Sequence, residues 1–124
     1  MEETKVDKHK EMKQRYKQNP PRGGVYQIKN LVNGKIFIGS NPNVEAKIRA
    51  RQFEMKMGGN NFIKDLQADL QEFGFDNFAF EVLEYLDPDE KSLEVDREEL
   101  SLLEAIWLEK LQPYGDKGYN TKSR

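Results

Sequence analysis

The chain has 124 residues, 36% of them apolar and 34% charged, with a net charge of −2 and a mean hydropathy of −0.90. That length most simply makes one domain with a real core. No apolar run is long enough to span a bilayer, the charged amino terminus does not read as a secretory signal, and the absence of cysteine excludes disulfides and thiolate metal sites and fits a reducing cytoplasm. The acidic balance means that any binding to nucleic acid needs a local basic patch.

Residues 1–20 are expected to form a charged helix or arm set apart from a domain over 21–124. The stretch EETKVDKHKEMKQRYKQ has only sparse apolar positions, Val6, Met12 and Tyr16, among six basic residues, and Asn19-Pro20-Pro21 stops it. A hairpin follows in GGVYQIKNLVNGKIFIGS. Val25, Gln27 and Lys29 alternate with Tyr26, Ile28 and Asn30, and Ile36 and Ile38 flank Phe37. Asn33-Gly34 predicts a two-residue type I′ turn, in which both central residues take positive φ.

Ser40-Asn41-Pro42 reads as a helix entry, a polar cap followed by proline. That helix runs to about Met57 before Gly58-Gly59. Its apolar face is Val44, Ile48 and Met55, and Lys47, Arg49, Arg51 and Lys56 make it basic. A second helix is expected over about 61–73, with Phe62 or Ile63, Leu66, Leu70 and Phe73 at helical spacing. Residues 78–86, FAFEVLEYL, predict a third strand. A long helix is then expected from about Glu90 to Leu111, with a possible break near Val95-Asp96. Its buried side would be Leu93, Leu100, Leu103, Trp107 and Leu111.

The pair GVY and FIG, about ten residues apart, resembles the two-part signature of the GIY-YIG nuclease superfamily. The basic helix after FIGS, the stretch NNFIKDLQADLQEFGFDNFAFEVLE, a glutamate in LLEAIWLEKL and a closing GYN follow in the same order. The resemblance is closest to single-domain members and to the nuclease domains of intron-encoded homing endonucleases. It implies an α/β (α+β) fold, a small three-stranded antiparallel sheet flanked by helices in the order β-β-α-α-β-α. It also implies a single divalent ion, Mg²⁺ or Mn²⁺, and a nucleic-acid substrate, DNA in the first place. No membrane is implied. With no separate targeting domain in view, target choice would come from a protein partner, self-association, DNA structure or the N-terminal arm.

Carried over by position, Tyr26 matches the first-motif tyrosine, a candidate general base that needs nearby positive charge because its ordinary pKa is about 10. Phe37 stands where the second tyrosine is expected and has no hydroxyl. Lys47 stands where the helix arginine is expected and lacks the planar fork that grips phosphate. Arg51 lies one turn further on the same face. Glu104 matches the metal glutamate. Gly39, Arg49 and Asn120 complete the set as candidate substrate contacts, although Arg49 points elsewhere on the helix and Asn120 could equally anchor the tail. Asn60 or Asn61 stands where some relatives carry histidine, and the single histidine, His9, lies in the arm. Three functions follow from this pattern: a metal-dependent DNA endonuclease, a nucleic-acid-binding module that has lost cleavage, and an interaction domain that keeps only the fold.

Overall fold

The structure is a computed structural model that describes residues 20–59 and 63–122. The expected N-terminal arm, His9, Asn60, Asn61 and Phe62 lie outside the described residues. The elements run β1 (Gly23–Asn30), β2 (Ile36–Asn41), α1 (Val44–Lys56), α2 (Lys64–Phe73), β3 (Phe78–Leu86) and α3 (Arg97–Leu111). The strands form one antiparallel sheet in the order β2-β1-β3, the three-stranded arrangement that the resemblance implies.

The two faces of β1 are covered by different helices. Tyr26, Ile28 and Asn30 alternate onto one face, with Phe37, Gly39, Phe80 and Val82 beside them by register. There they pack with Val44 and Met55 of α1 and Leu66 and Leu70 of α2 as the main core. The other face carries Val25, Ile38, Ser40 and Glu84 and meets α3. Among the described residues two side-chain bonds join α3 to it: Ser40 to Glu104, and Trp107 Nε1 donating to Glu84 Oε1 at 2.9 Å. A bulge in β3 brings Glu84 there, because Val25 pairs with Glu84 and Tyr26 with Val82, which leaves Leu83 between.

Four local expectations are corrected. The hairpin does not close in a two-residue type I′ turn. The last pair is Asn30 with Lys35, Gly34 has φ 80°, and Asn33 is not in the left-handed region. Buried Asn30 closes the loop instead, because its Oδ1 accepts from the amides of Val32 at 2.8 Å and Asn33 at 3.4 Å. Helix α1 starts at Val44, capped by Asn43 rather than Ser40, because β2 keeps pairing with β1 as far as Asn41. Helix α2 starts after Ile63, whose backbone is extended.

The expected helix from Glu90 begins only at Arg97. Asp96 Oδ1 takes the amides of Glu98 and Glu99, and Asp89 holds a separate turn through the amides of Lys91 and Ser92. Leu93, expected on the buried side, sits in that turn with φ 61° and is exposed.

The chain returns to the sheet at its end. Gly118 bridges in parallel to Ile36, and Tyr119 N–H donates to Ile36 O at 2.9 Å. Asn120 then behaves like one more strand residue: its Oδ1 accepts from Ile38 N–H and its Nδ2 donates to Ile38 O, both at 2.9 Å. Replacing Asn120 by alanine removes both bonds, each worth about 1 kcal/mol net. Asn120→Ala is therefore expected to lower stability by about 2 kcal/mol in equilibrium urea unfolding, and an unchanged midpoint would show that the tail clamp carries no weight.

Candidate active site at the edge of β2

Tyr26 is 1% exposed, and its ring lies across Gly39 of the neighbouring strand. A Cβ placed on Gly39 would fall 2.7 Å from the Tyr26 hydroxyl and 2.8 Å from Cζ. Glycine here answers a close approach rather than a need for positive φ. The tyrosine hydroxyl thus reaches over β2. The tail's pairing with β2 among the described residues stops at Ile38, which leaves the Gly39–Ser40 stretch of that edge outside the clamp.

Arg51 reaches this hydroxyl from α1. Its Nε donates to Tyr26 Oη at 3.4 Å, and its Nη1 lies 3.1 Å from Glu54 Oε1. Burial pushes the Tyr26 phenol above its ordinary value of 10. The Arg51 hydrogen bond and charge pull it down, and the carboxylates of Glu104 and Glu54 push it up again. Glu104 therefore acts electrostatically on Tyr26 although it comes from the helix on the opposite face. Ser40 Oγ donates to Glu104 Oε1, and the carboxylate is half-buried.

The remaining expected residues divide. Phe37 stands 6.2 Å from Tyr26, ring centre to ring centre, so its aromatic ring borders the hydroxyl without adding one. Lys47 is half-exposed, and its side chain makes no hydrogen bond or ion pair among the described residues. Arg49 is exposed, and helical spacing puts it on another side of α1 from Arg51. Both amide atoms of Asn120 are taken by the Ile38 backbone, which makes it an anchor of the tail beside the site. The structure thus gathers Tyr26, Phe37, Gly39, Arg51 and Glu104 around one edge.

Two participants are absent from the sequence reading. Glu54 sits three residues after Arg51, a spacing that announces an ion pair on a helix. Ser40, which the local sequence places at a helix entry, is instead a residue of β2. Its position opposite Val25 follows only from carrying the strand pairing two residues further.

The profile of the GIY-YIG catalytic domain matches residues 22–120. The chain belongs to the GIY-YIG family. It is 31% identical over 99 residues to intron-associated endonuclease 1 of Enterobacteria phage T4. The match covers 80% of this chain but 36% of that protein, so this chain spans about a third of its relative's length. The fold is similar to the solved catalytic domain of the homing endonuclease I-TevI, with a TM-score of 0.62, 24% identity and coverage of 82% of this chain and 99% of that one. A mutant of the same catalytic domain gives a TM-score of 0.60 at 24% identity, over 80% and 92% of the two chains.

The geometry around Tyr26 fixes the signs of a titration. Tyr26 is expected to ionise above pH 10 in the protein as it stands. Removing the Arg51 guanidinium (Arg51→Ala) takes away the two contributions that favour phenolate, so ionisation moves higher still. Glu104→Gln removes a contribution that opposes it, so ionisation moves lower. Spectrophotometric tyrosine titrations, each with the matching Tyr26→Phe background subtracted, check both directions. Shifts of opposite sign would dismantle this account of the site.

Proposed function

We propose that this GIY-YIG domain hydrolyses DNA phosphodiester bonds with the help of one divalent cation. The observation that carries the reading is the placement of the Tyr26 hydroxyl across Gly39, within reach of Arg51 and under the charge of Glu104. The names of the relatives, an intron-associated endonuclease and a homing endonuclease, support it.

The residues suit a magnesium-like ion. No group of three or more histidines or carboxylates gathers among the described residues, which disfavours a cage built wholly from protein ligands. Mg²⁺ does not need one. It commonly takes one or two carboxylates, substrate phosphate oxygens and several waters, and Glu104 offers one hard oxygen ligand at the site edge. When bound, such an ion stabilises charge on the phosphate and on the leaving oxygen.

The chain's own residues supply the rest. Tyr26 holds a proton at Oη, and the adjacent guanidinium favours its departure towards a base role. Arg51 is also placed to meet a phosphate oxygen, and Lys47 adds a compact positive charge without a bidentate fork. Phe37 excludes water beside Tyr26 and cannot relay a proton. That missing hydroxyl favours a second reading, a domain that binds nucleic acid and cleaves it slowly or not at all. Among the described residues no helix is long and apolar enough to cross a membrane.

Cleavage of a labelled panel of duplex, flapped, branched and single-stranded DNA with Mg²⁺ or Mn²⁺ tests the proposal. Glu104→Ala is expected to lower metal-dependent cleavage by about 100-fold or more, the scale of losing one electrostatic catalytic group, while the circular dichroism spectrum stays that of the folded parent and the melting temperature falls only by the loss of one bond between α3 and the sheet. Phe37→Tyr combined with Lys47→Arg is expected to raise the rate. Salt-dependent DNA binding by the parent without cleavage of any substrate would leave the binding reading in its place.

A further inference from the structure

We propose that Ser40 is a positioning residue for the divalent-ion site: its hydroxyl holds the Glu104 carboxylate so that the second oxygen is presented to the ion. The inference rests on the nuclease reading and goes one residue beyond it. In the structure Ser40 is not a helix cap but a residue of β2, opposite Val25, on the face that meets α3. Its Oγ donates to Glu104 Oε1, and among the described residues Oε2 has no hydrogen-bond partner.

The chemistry suits the task. A glutamate side chain turns about three bonds, so a lone carboxylate at a sheet edge samples many orientations and loses that freedom on taking an ion. A serine hydroxyl fixes the carboxylate by donating to one oxygen. Because it is neutral, it leaves the negative charge that attracts the ion intact, which a lysine or arginine in its place would cancel. Serine's own stem is a single bond on a strand paired to β1, so the hydroxyl is held by rigid backbone. Partners of this kind, bonded to a ligand rather than to the ion, commonly change ion affinity or activity by 10–100-fold.

The competing role is plain helix docking. A second bond of that sort exists three residues along α3, where Trp107 Nε1 donates to Glu84. Trp107→Phe therefore serves as the control, because it removes a bond between α3 and the sheet without touching the Ser40–Glu104 pair.

The experiment uses the full chain and Mn²⁺ as the probe. Mn²⁺ binding without DNA is followed by the paramagnetic resonance signal of the free ion, and cleavage is measured as a function of Mn²⁺ concentration. Ser40→Ala is expected to weaken Mn²⁺ binding about 10–100-fold and to raise the half-saturating concentration by the same factor, with the rate at saturation unchanged. Ser40→Thr keeps the hydroxyl and is expected to match the parent, whereas Ser40→Val, of the same shape without it, is expected to behave as Ser40→Ala. This pair keeps the test intact should the alanine variant fold poorly. Trp107→Phe is expected to lower the melting temperature and leave Mn²⁺ binding alone.

If Glu104→Ala abolishes Mn²⁺ binding while Ser40→Val binds like the parent, the role of Ser40 is overturned and Glu104 keeps its own. Equal losses in Ser40→Val and Trp107→Phe overturn it in favour of docking. If the parent binds no Mn²⁺, or Glu104→Ala binds it like the parent, the ion-site reading and the Ser40 inference fall together.

Discussion

The site depends on one close contact, the ring of Tyr26 lying against the bare Cα of Gly39. Tyr26 is among the largest fully buried side chains, and its ring is part of the main core. Burial of such a ring contributes roughly 1.5–3 kcal/mol, so the group that fixes the core also aims the hydroxyl. Any side chain at position 39 would occupy the space of the phenol itself. Strand pairing, core packing and the placement of the Tyr26 hydroxyl are therefore one constraint, and Arg51 and Glu54 are arranged around its result.

The two halves of the site come from opposite faces of a thin sheet. Tyr26 and Arg51 belong to the layer of α1 and α2, and Glu104 belongs to α3 on the other side. They act together because β2 is an edge strand and its Gly39–Ser40 segment is narrow. On one side glycine lets the tyrosine pass over, and on the other serine takes the carboxylate. On the proposed reading, such a construction separates the group that would give up a proton from the group that would carry the ion. It also lets their charges oppose each other, as the upward push of Glu104 on the phenol shows.

The element order and most of the core were readable from periodicity. Alternation in GGVYQIKN and apolar spacing at Val44, Ile48 and Met55 are strong local signals, and the structure follows them. Three of the four errors lie where a side chain of asparagine or aspartate overrides local preference; the fourth, the start of α2, lies at the extended backbone of Ile63. Asn30 closes the hairpin from inside, Asn43 delays α1, and Asp96 delays α3. Each of these polar groups competes with regular backbone bonding, and the sequence alone does not say which competitor wins. At the site, Tyr26, Gly39 and Glu104 were recognisable from motif order, and Arg51 from its place one helical turn beyond Lys47; the structure brings these four together. Ser40 was not, because its bond partner lies 64 residues away. The anchoring role of Asn120 was legible only as one of two alternatives, since strand and tail meet across 82 residues.

That last separation has a consequence for how the domain comes into being. β2 is made early in the chain, but among the described residues its outer edge is paired at Ile36 and Ile38 by residues 118–120. During synthesis the hairpin can form soon after residue 41 emerges, yet its edge stays open, able to recruit any passing strand, until residues 118–120 have also left the ribosome. Tyr119 adds a second late lock, because its hydroxyl donates to Asp69 at 2.6 Å and accepts from buried Asn30. Nascent chains stalled before residue 118 should therefore be the vulnerable species, protease-sensitive and prone to associate, and the last few residues of the fold act as its closing bolt.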